Sequence, residues 1–475
     1  MMRVPVLVLA ALAGQLAAAT AELLPETVAA SARDHYPEVV AVLAEQRAAG
    51  ARRLSAAGAF DTVFSADLRA RMEGFYSGDI LSTTVEKPLG PLGAKVYGGY
   101  RVSDGDFPVY EDYSFTNQAG EAKIGVLFSL LRDRTIDRRR FDIRQADLGL
   151  ATADLEVFLT RIGVQQQALV AYWRWVAAGR ELEAYQDILR IAEERDRALR
   201  REVESGARAA IFLTENAQNL ARRREFVRRA ERDLQLAANA LGLFLRDDDG
   251  NMIVPQPDDL PDDIRVEASL EETEPMVLIA RRPEIQLLEV SEEQLENRRD
   301  LAANDLKPRL DIKVEAAEDF GAIGPGGVSR DPGELIAGAT FTVPLGRRAA
   351  RGRLREADAE LTAVRERRRL LRDQIMRELN DIVTNLTTAQ DLLGLAQREA
   401  ELADRMRQAE AQRFRGGASD FFLVNLREET FADARVKLAR AEFSLAAAHV
   451  TYRAAIMDTE ALGLEARVPV LRAAD

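Results

Sequence analysis

The sequence predicts a mainly α-helical protein with a smaller β-component, built as two tandem repeats of a helix, a β-hairpin and a pair of long antiparallel coiled-coil helices. Three observations carry this prediction. Residues 120–148 recur without a gap at 333–361, with Gly120/Gly333, Glu121/Glu334, Gly125/Gly338, Phe128/Phe341, Arg134/Arg347, Arg138/Arg351, Arg140/Arg353, Ala146/Ala359 and Leu148/Leu361 coinciding. In both copies the hydrophobic period changes at the same place from two to between three and four, so each copy is a strand that turns into a long helix. Finally, Leu371, Ile375, Leu379, Ile382, Leu386, Ala389, Leu393, Ala396, Ala400 and Ala403 step by four and three, the rhythm of a coiled coil.

Taken in order, the chain opens with a signal peptide at 1–21. Arg3 supplies a positive start, residues 4–16 are an apolar run too short to span a bilayer, and Ala19-Thr20-Ala21 fits a small-x-small cleavage site. The mature chain is expected to begin near Glu22. It contains no run of about eighteen apolar residues, so any membrane crossing has to come through strands.

Repeat 1 occupies 22–246 and begins with a helix whose Pro37-Glu38 lies on Pro283-Glu284 of the second repeat, an offset of 246. The offset between residues 120 and 333 is 213, so about 33 extra residues lie between the first helix and the strand at Ile124. A first strand is expected at 59–73, where Phe60, Thr62, Phe64, Ala66, Leu68, Ala70 and Met72 alternate with Asp61, Val63, Ser65, Asp67, Arg69, Arg71 and Glu73. A sandwich strand with one wet face would show the same alternation; the length and the charged alternate face favour a water-lined barrel. A second strand covers 121–131.

Between them, residues 79–103 form an extra hairpin whose membership of the barrel the sequence leaves open. Tyr97, Tyr100, Tyr110 and Tyr113 form either an interfacial aromatic belt or loop packing. A long helical hairpin follows at 142–245, with the stripe Leu155, Phe158, Ile162, Leu169, Trp173, Val176, Ile188 and Ile191 and a tip near Gly206. A linker spans 247–274; its Asp247, Asp248, Asp249 and Gly250 lack the ligand spacing of a calcium loop and read as a solvated turn. Repeat 2, at 275–465, has a helix, strands at 309–319 and 335–345, and a helical hairpin at 350–462 with its tip near Gly417. Residues 466–475 are a tail.

Composition excludes several functions. A net charge of -13 argues against nucleic-acid binding. There is no cysteine, hence no disulfide, thiolate site or lipidated cysteine, and the two histidines, His35 and His449, have no ligand-spaced partner. With no phosphate-binding loop, nucleophile elbow or metal cluster, the sequence predicts neither an enzyme nor a cofactor.

Two groups of residues stand out as functional candidates. At the tips, Gly206 and Gly417, beside Gly416, suit a tight reversal, and Ile211, Phe212, Leu213 and Phe421, Phe422, Leu423 place apolar side chains just past it. Arg208, Glu215, Asp420 and Leu426 complete a candidate gate and docking site. At the strand-to-helix junctions, Arg134, Arg138, Arg140, Arg347, Arg351 and Arg353 form a basic band. It either meets lipid phosphates or is solvated charge at a helix start, and its opposition to the helix dipole favours the first.

With the paired PE helices, the runs FSLLRDRTIDRRR and FTVPLGRRAARGR, the glycine turns GARAAIFLTEN and RGGASDFFLVN, and the end at Ala238-Asn239-Ala240-Leu241-Gly242-Leu243, the sequence resembles the TolC family of outer-membrane efflux and secretion channels over nearly all its mature length. The resemblance implies a homotrimer: an outer-membrane β-barrel continued by a periplasmic α-helical barrel. It further implies outer-membrane lipid, a periplasmic adaptor (membrane fusion) protein and an inner-membrane pump of RND or ABC type as partners. Two strand pairs per chain fall short of the about eight strands a barrel needs, so several chains have to share one; three give twelve strands if the extra hairpin stays outside. One departure concerns the gate: positions that are acidic in some relatives, six and nine after Gly417, are Leu423 and Leu426 here, leaving Asp420 and Glu215 as substitutes. The competing reading is a soluble periplasmic coiled-coil adaptor or scaffold.

Overall fold

The protein, described by a computed structural model over residues 22–247, 249–262, 279, 282–327 and 333–464, is built from long helices and one antiparallel sheet. The expected signal peptide, residues 263–274 of the linker and the tail at 466–475 lie outside the described residues. The elements are α1 (Pro25–His35), α2 (Pro37–Ala57), β1 (Val63–Ala70), β2 (Gly78–Pro88), β3 (Lys95–Gly105), β4 (Glu121–Ser129), α3 (Arg138–Glu204) and α4 (Ile211–Gly242). They continue with α5 (Pro283–Asn304), β5 (Arg309–Asp319), β6 (Glu334–Thr342), α6 (Arg348–Arg415) and α7 (Phe421–Ala455). At 67 and 68 residues, α3 and α6 are each about 100 Å long. Among the described residues no helix is long and apolar enough to cross a membrane.

Packing divides the chain differently from the repeats. Of the described residues, those within 22–40, 160–262 and 377–464 form one compact unit and those within 41–159 and 279–376 the other. Each unit therefore takes a part of both repeats.

The first unit is helical. Along α6 its buried apolar residues are Leu379, Ile382, Leu386, Ala389, Ala396, Ala400 and Ala403, most of the heptad seam read from the sequence. Small side chains let a neighbour approach closely: Ala400 and Ala403 pack against Ala434 of α7, flanked by Phe431 and Leu438. In α3 the fully buried Trp175 and the buried Tyr172 lie beside the stripe predicted there. Tyr172 satisfies its hydroxyl by donating to the Leu23 carbonyl at 3.0 Å, and Gln165 donates to Ala29 at 2.8 Å, so α1 is held by polar as well as apolar contacts.

The second unit holds the sheet, a six-stranded antiparallel meander in the order β1-β2-β3-β4-β5-β6. The extra hairpin is β2-β3, and it lies within the sheet, between β1 and β4, rather than outside it. The place of this hairpin, which the sequence leaves open, is thus within the sheet, and the condition attached to a count of twelve strands is not met. β4 of the first repeat pairs directly with β5 of the second, so the sheet runs unbroken across the repeats. The strands have 8, 11, 11, 9, 11 and 9 residues, and β1 is shorter than the alternation suggested because a 3-10 turn at Gly58–Phe60 takes up its start.

Residues directly opposite in an antiparallel pair share a face, so the register decides what each face carries. Phe64, Ala66 and Leu68 pair with Val85, Thr83 and Leu81; these continue into Gly98, Tyr100 and Val102, then Ile124 and Ala122. Val96, Val126, Phe128, Ile312, Val314, Leu310, Ala337, Ala339 and Phe341 complete one apolar face across all six strands. The other face carries Asp67, Arg69, Glu86, Lys95, Arg101, Glu121, Lys123, Asp311, Lys313 and Glu315. Tyr97 belongs to this polar face: its hydroxyl donates to Glu315 at 2.6 Å and Lys313 sits 5.7 Å over its ring, so it is no part of an aromatic belt.

The equivalent glycines of the two repeats, Gly125 and Gly338, meet different surroundings. A Cβ on Gly125 would lie 2.4 Å from the Tyr97 ring, whereas one on Gly338 meets nothing within 4 Å. Gly125→Val is therefore expected to destabilise the sheet by about 1–3 kcal/mol and Gly338→Val to have little effect. Thermal unfolding followed by circular dichroism in the β-sheet region checks this difference.

Candidate functional site

In the first unit, α3 ends and α4 begins around a turn that α6 and α7 reproduce. Gly206 N–H donates to Val203 and Ala207 N–H to Glu202; in the second copy Gly417 N–H donates to Phe414 and Ala418 N–H to Arg413. Both are the same helix stop, with glycine in the left-handed region at φ +72° and +74°. Gly416 has no such φ; the reversal rests on Gly417.

The two tips lie side by side within this unit. Phe212 of the first tip packs 6.3 Å from Phe421 of the second, and Phe414 lies 6.4 Å from Phe421. Arg208 joins them: it pairs with Glu202 at 2.7 Å and its guanidinium lies 5.3 Å over both Phe212 and Phe414. Of the apolar residues that the sequence placed here, Phe421 is buried and Phe212, Leu213 and Leu423 are half-buried. Ile211 at 66%, Phe422 at 65% and Leu426 at 42% face outward. Asp420 is the N-cap of α7, accepting the Leu423 N–H at 2.7 Å, which gives this carboxylate a structural task. Glu215 is half-buried on the first turns of α4.

Just beyond the tips lies a buried ionic cluster that the sequence reading missed. Arg223 of α4 is fully buried; it donates to the Ile188 carbonyl at 2.6 Å and to Glu428 of α7 at 2.8 Å. Arg195 of α3 reaches the same Glu428 carboxylate and donates to Asn425 at 2.7 Å. Burial works against the Arg195 charge and lowers its pKa, with Glu428 opposing that loss. Three helices are thus tied through one carboxylate. A signal existed: Asn216, Leu220, Arg223, Val227, Ala230 and Leu234 step by four and three, so Arg223 occupies a seam position. The same α3–α7 face continues with Arg435 beside Asp187 and with Arg440 3.0 Å from Glu181.

The basic band sits in the second unit, and its members differ. Asp137 caps α3 by accepting the Arg140 N–H at 2.9 Å, and the Arg140 guanidinium donates to the carbonyls of Arg134 and Thr135 at 3.0 and 2.9 Å and to Asp137 at 3.1 Å. Arg140 is therefore committed to its own loop, and the capping carboxylate offsets the unfavourable helix dipole. Arg353 pairs with Asp305 at 2.7 Å, and Arg132 reaches the other oxygen of that carboxylate at the same distance. Arg138 pairs with Asp142 at 3.1 Å in an exposed i,i+4 arrangement. Arg134 and Arg351 are exposed and Arg347 is half-exposed. Among the described residues no group of acidic, histidine or cysteine side chains could hold a metal ion.

No family model and no curated protein matches this chain. Solved structures do. The outer-membrane channel OprN superposes with a TM-score of 0.62 at 18% identity, over 91% of this chain and 90% of that one. A membrane protein from Pseudomonas aeruginosa gives 0.65 at 16% identity, over 92% and 93%, and the outer membrane protein VceC from Vibrio cholerae 0.61 at 15%, over 91% and 95%. The chain has the fold of these proteins.

The buried cluster yields a test. Glu428→Ala leaves Arg223 charged and unpaired in the interior and is expected to cost about 3–5 kcal/mol, whereas Arg223→Met with Glu428→Met should cost clearly less. Thermal melts of the two variants, read with the trypsin resistance of α4 and α7, check that order.

Proposed function

We propose that this chain is the subunit of an outer-membrane exit duct, passively conducting substrates out of a tripartite efflux pump or a type I secretion system. The observation that carries the reading is the sheet: one face is apolar on every strand, the other is charged, and β1 and β6 end it as open edges. A lone sheet in lipid would leave the backbone groups of those edges unsatisfied, so the barrel closes only when copies join. Three copies are expected, from the fold shared with outer-membrane channels such as OprN and the open-state channel MtrE of Neisseria gonorrhoeae.

In this reading the helices form the periplasmic part of the duct, following an exported chain, and the tips are its gate and its dock. Gly206, Gly416 and Gly417 make the turns; Arg208, Phe212, Leu213, Glu215, Asp420 and Leu423 shape them. Ile211, Phe422 and Leu426 offer a periplasmic adaptor an apolar anchor, and the adaptor delivers cargo from an RND or ABC pump. The exposed Arg134, Arg138 and Arg351, with Arg347, meet lipid phosphates, while Arg140 and Arg353 hold the junctions together. A soluble coiled-coil adaptor or scaffold would share the helices, but it has no use for an apolar sheet face that water would have to cover.

Because Leu213 and Leu423 are half-buried, the informative substitutions at the tips are the exposed ones. Ile211→Asp with Phe422→Asp should leave the protein assembled in the outer membrane and abolish export of its cargo. Cell fractionation with native gels reads the first, cargo accumulation the second. Normal export by the double variant would remove the tips from the account.

A further inference from the structure

The two repeats handle their strands differently. In the second repeat β5 pairs directly with β6, and the equivalent strands of the first repeat are β1 and β4. Between these lies the β2-β3 hairpin, and it matches the surplus residues of repeat 1. A hairpin packed on the sheet, or folded over its rim, would need neither alternation nor register with its neighbours. This one has both. Leu81, Thr83 and Val85 stand beside Leu68, Ala66 and Phe64, and Val96 stands beside Val126, so the apolar face crosses the middle of the hairpin, with charged residues on that face only at its ends, Lys87 at one and Asp79 and Asp104 at the other. On the opposite face Lys95 pairs with Glu86 at 3.0 Å, Arg101 with Glu121, and Tyr97 reaches across β4 to Glu315 of β5. The hairpin's turn is anchored at the helix end of the sheet, where Gly93 lies against the Asp133 carbonyl so closely that a Cβ would come within 2.6 Å of it. Both hairpin strands have 11 residues, the about 9–11 that a tilted strand needs to cross a bilayer.

We infer that the hairpin is part of the barrel wall, so that each chain contributes six membrane-crossing strands and three chains close an eighteen-stranded barrel, β1 of one copy pairing with β6 of the next. The inference rests on the reading of the protein as a membrane duct. Three features of the chain support a second copy as the occupant of the edges. Every residue of β1 and β6 is exposed, the six-strand count makes β1 and β6 antiparallel so that head-to-tail closure keeps the sheet antiparallel throughout, and the apolar face reaches both edges. With strands about 4.8 Å apart and tilted by about 40°, eighteen give a barrel about 36 Å across the backbone, against about 24 Å for twelve. Its lining is charged in both signs and largely paired within the sheet. The barrel is then a wide passage without charge selectivity, suited to cargo of either sign.

The chain has no cysteine, so single cysteines report cleanly. Leu81→Cys and Val96→Cys place probes on the apolar face of the hairpin, Ser82→Cys and Arg101→Cys on the polar face, and Leu68→Cys is a reference on β1. Each variant is labelled with bimane in vesicles containing brominated acyl chains, or treated with a membrane-impermeant maleimide. The expected result is quenching at 68, 81 and 96 and impermeant labelling at 82 and 101. In addition, a cysteine at Asp67 should crosslink between copies with at least one cysteine scanned through 335–341 of β6. Quenching at 68 alone, with all four hairpin sites labelled from water and a 67–123 cysteine pair closing within one chain, overturns the six-strand wall and leaves the duct intact. Absence of quenching at 68 as well overturns both.

Discussion

The structure depends on one constraint, the agreement of side-chain alternation with strand register across the whole sheet. A shift of one residue in any of the five pairings would turn an apolar strand face into the charged one. The pairing of Phe64 with Val85 and of Phe128 with Ile312 shows how the register is kept: large apolar residues meet their counterparts, and on the reverse side Arg101 meets Glu121. β1 and β6 are amphipathic like the rest, and each pairs on one side only, so its outer edge has no strand partner within the sheet. In the proposed duct, those edges are where the next copy pairs, because lipid offers their backbone groups no other hydrogen-bond partner.

The helical unit solves a different problem, the close packing of long helices, with small residues along α6 whereas α3 buries Trp175 and Tyr172. Its seam is alanine and leucine at heptad spacing, closed at each tip by a glycine that accepts the left-handed conformation. Where the seam approaches the tips it turns ionic, with Arg195, Arg223 and Glu428 replacing apolar members. Such a cluster adds little net stability compared with apolar packing, yet it penalises any shift in helix register that would separate the charges. It lies beside the turns whose positions the proposed gate depends on.

Much of this was legible in the sequence, because repeats, periods and turn glycines are local. The strand-to-helix junctions, both tips, the heptad seam and the strands of the second repeat could be read from spacing alone. What could not be read was long-range. Whether β2-β3 joined the sheet depended on pairing with strands tens of residues away, and Tyr97 took the polar face because β3 fixed its register against β4. Arg223 looked like one more arginine among its neighbours Arg222 and Arg224; only the fold shows it at the meeting of three helices. Likewise Phe421 and Phe422, adjacent and identical, differ in burial, since the step of about 100° from one helical residue to the next buries the first and exposes the second.

The central claim is that the sheet encloses water within a membrane, and bilayer conductance measures this most directly. Purified full-length protein reconstituted in planar bilayers should give discrete steps, and Leu68→Arg, which places a charge on the apolar face, should sharply reduce their frequency, while Asp67→Arg, on the polar face, should leave the frequency unchanged and alter the current per step. A protein that gives no steps and stays soluble without detergent, or whose frequency of steps falls equally with both substitutions, would contradict the account.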